Sequence, residues 1–304
     1  MRLDVRDATG TRSSQEPYSG PRSPIMRRFA LALVVVSVVL AGTSGRRASS
    51  ASDTVTRFRV ATFNIHKGAN RQGRYDLERT VEAIQHLDAD LVGVQEVMRN
   101  HPDFHCDDQP ALIAEGLRRR SGRPWTHAHA KGWITEDRQC LAAGRGSDVA
   151  TEGLAIFAAS PILASSSVRL SEGRVGLAVR VAAAPDVPLV VTHLAANREN
   201  QRDRIHEIGV LLPWAARQGP GLLIGDFNAQ PDSSELGPVM ARYRDAWAEA
   251  AARGRVDFVL YQPDVGVTLE SVDVVDFSTV PEFGEVSDHH PVVATFRRSP
   301  PRLP

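Results

Sequence analysis

Lysine is nearly missing from this sequence. Lys67 and Lys131 stand against 34 arginines in 304 residues, a bias of codon usage more than of chemistry. Cysteine is equally scarce, and Cys106 and Cys140 show no zinc-type spacing, which excludes a cysteine-rich metal site. No apolar run approaches the about 20 residues that a membrane-spanning helix needs. The stretch from Phe29 to Leu40 has twelve, which fits a secretory signal better: Arg27 and Arg28 form its basic start and Val39-Leu40-Ala41 offers a cleavage site. Residues 1–41 are therefore expected to be a signal segment beginning in effect at Met26, with 1–25 disordered or outside the true reading frame. The expected location is secreted or extracytoplasmic; the alternative is an anchor left uncleaved at 29–41. In an oxidising compartment two cysteines close one disulfide or remain free thiols, and the bridge is the expectation.

A charge excess is also missing. The formal net charge is zero, but residues 1–50 hold eight Arg and three acids, so the remainder carries a net −5. A mildly acidic body argues against a strong basic nucleic-acid footprint while leaving room for a local one. What is present, 42% hydrophobic and 24% charged residues, is the composition of a soluble globular protein.

After a tether at 42–56, strands and helices alternate without repeats. FRVATFNI (58–65), DLVGVQEV (90–97), GLAIFA (153–158), VGLAVRVA (175–182), PLVVTHL (188–194), GLLIGDFNA (221–229), VDFVLY (256–261) and PVVATF (291–296) read as strands. Asp76 caps a helix over 77–87, a short helix lies near 111–120, and a third covers 199–212 with Pro213 ending or kinking it. Residues 98–150 read as an insertion. Several strands follow one another directly, which predicts mixed sheets flanked by helices. A single domain over 57–297 and a tail at 298–304 account for the rest.

The strands end in polar groups: Asn64, Glu96, His193, Asp226 with Asn228, and the Asp288-His289 pair ahead of PVVATF. Asp257 sits within an apolar strand, where a carboxylate is costly unless it is paired or binds something. Each has an ordinary reading as a turn or strand-end residue. Together, if the strand ends meet, they make a site. Glu96, Asp288 and the Asn64 amide are hard oxygen ligands suited to Mg2+ or Mn2+. Asp226 suits the orientation and deprotonation of a water, and histidines beside it suit a phosphoryl group gaining charge. An acid near each histidine would raise its pKa.

The ordered series TFNIHKG, DLVGVQEV, EGLAIF, VTHLAAN, IGDFNAQP, VDFVLY and SDHHPV resembles the endonuclease/exonuclease/phosphatase superfamily, relatives of pancreatic-type deoxyribonuclease, over about 57–297. The resemblance implies an α/β (α+β) four-layer sandwich, two central mixed β-sheets flanked by helices, that cuts phosphoester bonds with a divalent metal. It also implies roles. Glu96 would be the principal metal ligand with Asn64 near it, and Asp288 would complete the metal or phosphate network. His193 and His289 would flank the phosphate, supported by Glu152 and Asp257 respectively. Asp226 and Asn228 would position water and phosphate. His66 and Arg198 are further candidates for touching substrate, each with a plain reading as loop or solvated helix face, and His290 is assigned a supporting place. The segment 98–150, with Trp125, Trp133, His101, His105, His127 and His129, is where specificity for DNA, RNA, sphingomyelin or inositol phosphates would be set. A nuclease-like phosphodiesterase acting as a monomer is the first expectation. A lipid phosphodiesterase and a catalytically silent secreted binding module are the alternatives.

Overall fold

The computed structural model describes residues 56–197, 200–247 and 254–298. Twelve strands form two six-stranded mixed sheets. The first contains β1 (Thr56–Asn64), β2 (Leu91–Arg99), β3 (Thr126–Ile134), β4 (Thr151–Ala158), β11 (Val267–Val274) and β12 (Val292–Arg298), in the order β11-β12-β1-β2-β4-β3. The second contains β5 (Ile162–Ser171), β6 (Arg174–Val181), β7 (Ala184–His193), β8 (Leu222–Asp226), β9 (Arg244–Asp245) and β10 (Asp257–Tyr261), in the order β5-β6-β7-β8-β10-β9. Each sheet has one parallel pair at its centre, β1 with β2 and β7 with β8.

Alternation along the strands fixes the layers. In β1, Phe58 and Val60 face the second sheet while Ala61 and Phe63 pack beneath α1 (Leu77–His86) and α2 (Gln109–Ser121). In β7 and β8, Val191 and Ile224 join that same inter-sheet core, whereas Val190 and Leu223 face α4 (Gln201–Gln218). The sheets approach closely at Gly93, where a Cβ would lie 2.4 Å from Val191 Cγ2 and 2.7 Å from Ile224 Cδ1. The result is the helix–sheet–sheet–helix sandwich anticipated from the sequence.

Asp76 caps α1 as expected, its side chain accepting from the Arg79 amide. Three expectations are corrected. Pro213 does not end α4, which runs on to Gln218 with the proline inside it. The residue one turn back is Gly209, whose side is open, and the buried stripe of Leu211, Leu212, Trp214 and Ala215 continues past the proline, so burial overrides the lost hydrogen bond. Residues 98–150 are not simply an insertion: they supply α2, α3 (Gln139–Ala142) and β3, an edge of the first sheet. Finally, β3, β5, β9 and β11 were not legible as strands. Cys106 and Cys140 are bonded as a disulfide, with Cα atoms 5.5 Å apart. No described helix is long and apolar enough to cross a membrane. The expected signal segment, most of the tether and most of the tail lie outside the described residues.

Candidate active site

The alternation that buries Val60, Ile156, Val191, Ile224 and Val259 between the sheets also governs the next polar positions. Asn64, Glu152, His193, Asp226 and Asp257 share their parity and project into the open end of the same seam. Register brings them abreast: His193 lies opposite Asp226 across β7 and β8, and Asp257 lies opposite Asp226 across β8 and β10. β12 runs antiparallel to β1, so the loop leading into it delivers His289 to the same rim.

Glu96 reaches the rim by a different device. A bulge in β2 between Gln95 and Val97 leaves Glu96 as the extra residue, with φ 58. The bulge re-aims that side chain and returns Val97 to the helix-facing side.

Hydrogen bonds knit the two sheets at this end. Asn64 Nδ2 donates to Glu96 Oε1 at 3.1 Å and to Asp226 Oδ2 at 3.2 Å. Asp226 Oδ1 accepts from the Asn228 amide at 2.8 Å, and Asn228, itself at φ 49, donates through Nδ2 to the Leu194 carbonyl at 3.0 Å. Asp226 Oδ2 lies 3.5 Å from His193 Nε2 and 3.8 Å from His289 Nε2. His289 is held from both sides: Asp257 Oδ2 meets its Nδ1 at 2.7 Å, and Ser287 Oγ accepts from its amide at 3.2 Å. Ser287 in turn donates to the Asn64 carbonyl at 2.7 Å.

A model of the Endonuclease/Exonuclease/phosphatase family matches residues 61–289. The chain belongs to this family. Among solved structures it is similar to an endonuclease/exonuclease/phosphatase from Beutenbergia cavernae at 22% identity, covering 80% of this chain and 72% of that one with a TM-score of 0.61. The human Nocturnin catalytic domain with bound sulfate anion matches at 22% identity, covering 79% and 93%, TM-score 0.58. D. rerio TDP2 complexed with single-strand DNA product matches at 15%, covering 79% and 99%, TM-score 0.56. Among curated proteins no match is found. At such identities the structures establish the fold, and family membership supports a phosphoester hydrolase.

Electrostatics separates the two histidines of this endonuclease/exonuclease/phosphatase site. Burial would lower the His289 pKa, but the hydrogen bond and charge of Asp257, with Asp226 and Asp288 nearby, outweigh it and raise the pKa to about 9. His193 moves the other way, well below the ordinary value, through burial first and then the positive charges of Arg174, His289 and Lys67. The expectation that both would be raised by a neighbouring acid is thus corrected for His193. No hydrogen bond joins it to Glu152, whose Oε2 lies 3.7 Å from Lys67 Nζ instead. Burial, then the charge of Glu96, raises the Glu152 pKa. Burial and the neighbouring Asp257 raise Asp226 to about 7, against the opposing pull of His289 and two donated hydrogen bonds.

The remaining candidates sit further out. Asp288 lies against His66, 4.0 Å from its Nδ1, with Oδ1 3.4 Å from Ser287 Oγ; no described contact carries it to Glu96 or Asn64. His66 donates its amide to Asn64 Oδ1 at 3.0 Å and turns Nδ1 toward the Ala69 carbonyl. His290 is exposed and pairs with Asp276 at 3.6 Å. Arg198 lies outside the described residues. Sequence reasoning passed over Lys67, Arg174 and Ser287. Lys67 Nζ stands 3.6 Å from Glu96 Oε2. Its signal was in plain view, since it is one of two lysines and directly follows Asn64-Ile65-His66.

Proposed function

We propose that this chain is an exported phosphodiesterase of nuclease type that uses a divalent cation, Mg2+ or Mn2+. The observation that carries the reading is the row His193, Asp226 and Asp257, in register on three adjacent strands and closed by His289 at 2.7 Å from Asp257. A bound sulfate in Nocturnin and a single-strand DNA product in TDP2 support a phosphate-bearing nucleic acid as substrate. The disulfide supports an oxidising compartment, in keeping with the secretory pattern at 26–41.

The donors fit a hard cation. Glu96 Oε2 is buried and accepts no hydrogen bond, and the Asn64 carboxamide lies beside that carboxylate. Asp226, Asp257 and His289 also offer donor atoms within 4.8 Å of one another, but a His289 that is protonated and joined to Asp257 Oδ2 cannot ligate a cation, which favours Glu96 as the principal holder; Asn64 would join it by turning Oδ1 away from the His66 amide. Asp288, at the rim, completes the set only by moving inward. When bound, the cation would neutralise charge on the phosphoryl oxygens.

The protein's own groups divide the remaining work. Asp226, raised into the neutral range, orients the attacking water and takes its proton. His289, cationic at neutral pH and fixed by Asp257, donates to a phosphoryl oxygen as charge builds there. His193, neutral, donates one ring N–H to a second oxygen. Asn228 holds Asp226 through its amide and keeps the turn after β8 in place.

The test is a metal-supplemented panel of plasmid DNA, RNA and sphingomyelin, repeated with EDTA. Plasmid nicking that needs Mg2+ or Mn2+ and stops with EDTA is the expected result. Glu96→Ala and His289→Ala should each lower kcat by about 10²- to 10⁴-fold while the folded circular dichroism spectrum is retained. Lipid cleavage without nicking would replace the nuclease with a lipid phosphodiesterase. A folded, metal-supplied protein that turns over none of these would be a binding module.

A further inference from the structure

Trp133 has no part in the chemistry above, yet the local structure is arranged around it. Ala128 and Ala130 of β3 face the inter-sheet core, and Lys131 faces solvent. A bulge then falls between Lys131 and Trp133 and re-aims the strand, so that Trp133 pairs with Glu152 of β4. Directly opposed residues share a face, so the indole comes out beside Glu152, which with Gly173, Arg174 and His193 lines a small cleft at the site. The ring beds on Gly173 in the turn from β5 to β6. A Cβ there would lie 2.1 Å from Trp133 Cε3, and Gly173 has φ +75, so no other residue lets the indole down onto this backbone. One side of the ring is thus fixed while the residue remains 50% exposed. Trp125 and Trp214, by contrast, are buried, at 4% and 7%. Arg174, next to Gly173, lines the cleft, and among the described residues no hydrogen bond or ion pair engages its guanidinium.

We infer that Trp133 is a stacking platform for the nucleobase adjoining the scissile phosphate, with Arg174 taking that nucleotide's backbone phosphate. The inference rests on the nuclease reading and narrows it to nucleotides that have left the duplex stack, in single strands or at the unpaired sites of a supercoiled plasmid, because only such a base can reach an indole face. A fixed indole, with an unengaged arginine one residue beyond the glycine on which the ring rests, offers a base and its phosphate a partner each. A membrane-inserting tip would instead carry a longer apolar run without charges beside it. Here Trp133 and Ile134 are flanked by the Lys131–Asp148 ion pair and by Arg174.

The test compares wild type, Trp133→Ala and Trp133→Tyr on two probes, a single-stranded oligothymidylate and an abasic oligonucleotide of the same length. Cleavage is followed with Mg2+, and binding to fluorescently labelled probes by anisotropy in EDTA. Trp133→Ala should weaken binding and raise KM on the oligothymidylate by about tenfold or more, leave the abasic probe nearly unchanged, and be largely restored in Trp133→Tyr. Equal losses on both probes, or none on the oligothymidylate, overturn the inference. So does a Trp133→Ala defect seen only with sphingomyelin vesicles, which would assign the indole to a lipid surface. Base-dependent binding through Trp133 without any cleavage by wild type would uphold the platform and sink the nuclease reading.

Discussion

At the scale of single residues, the site is a set of buried charges whose states are set by who touches whom. His289 keeps its proton because Asp257 lies 2.7 Å from its Nδ1 and outweighs the cost of burial, carrying the pKa to about 9. A histidine raised in the folded state contributes stability that is fully present below its ordinary pKa and is lost as pH rises through the folded value. Folding should therefore weaken as pH rises from about 6.5 to about 9, and kcat should fall as pH passes about 9. Asp257→Asn keeps the shape and removes the charge, so the alkaline limb of the pH–rate profile should move down by about one unit or more. The same variant should show a lower His289 pKa by NMR titration of the ring protons. An unmoved limb in a folded variant would mean that another group governs it. Glu152 illustrates what sequence order leaves unsaid at this scale. Its place in EGLAIF marked it as a partner for His193, but which neighbour a carboxylate faces depends on side chains from other strands, and here Lys67 draws it away.

At the scale of elements, the strands that were legible are the ones buried on both faces, and the four that were not, β3, β5, β9 and β11, are the four edges of the two sheets. The reason is physical. A central strand between helices and a second sheet must be apolar on both sides, so VATF or LVVT declares itself. ILASSSVRLS of β5 and THAHAKGWI of β3 are largely exposed or half-buried, and edge strands carry polar and charged residues that resist pairing with other chains. The site was legible for a related reason: polar groups at the ends of apolar strands stand out, whereas Ser287 and Arg174 do not. The two bulges, at Glu96 and before Trp133, could not be read because a bulge is a relation between two strands and leaves no mark in either alone. Packing between the sheets gives a sharp check. Gly93→Ala places a methyl where Val191 and Ile224 already stand, with backbone on one side and core on the other. It should lower stability by about 1–3 kcal/mol in urea unfolding. A neutral result would show that the sheets can separate slightly without loss, and Asn64, which spans them to reach Asp226, would then be the next position to examine.

At the scale of the whole molecule, the first sheet ends in a strand that pairs with one neighbour only. β3 is an edge, with β4 on one side and solvent along much of its length, yet it carries Trp133. The disulfide bears on that weakness, since Cys106 lies ahead of α2 and Cys140 follows β3, and the bridge closes both elements into one loop with a sequence separation of 34. In the chain-entropy account, closing a loop of that length stabilises the fold by about 3–4 kcal/mol, mainly by restricting the unfolded chain. The double variant Cys106→Ser/Cys140→Ser should lose that amount in urea unfolding, and treating wild type with a reductant should reproduce the loss. The effect should fall on β3 before the rest. Amide exchange should quicken along Thr126–Ile134 first, while β1, β7 and β8 keep their protection, because those central strands hold the buried core. Oligothymidylate KM should rise with little change in kcat, since Asp226 and His289 stand on elements outside the loop. Uniform loss of protection would show instead that the molecule unfolds as one unit, with the bridge acting on the whole chain and not on its edge.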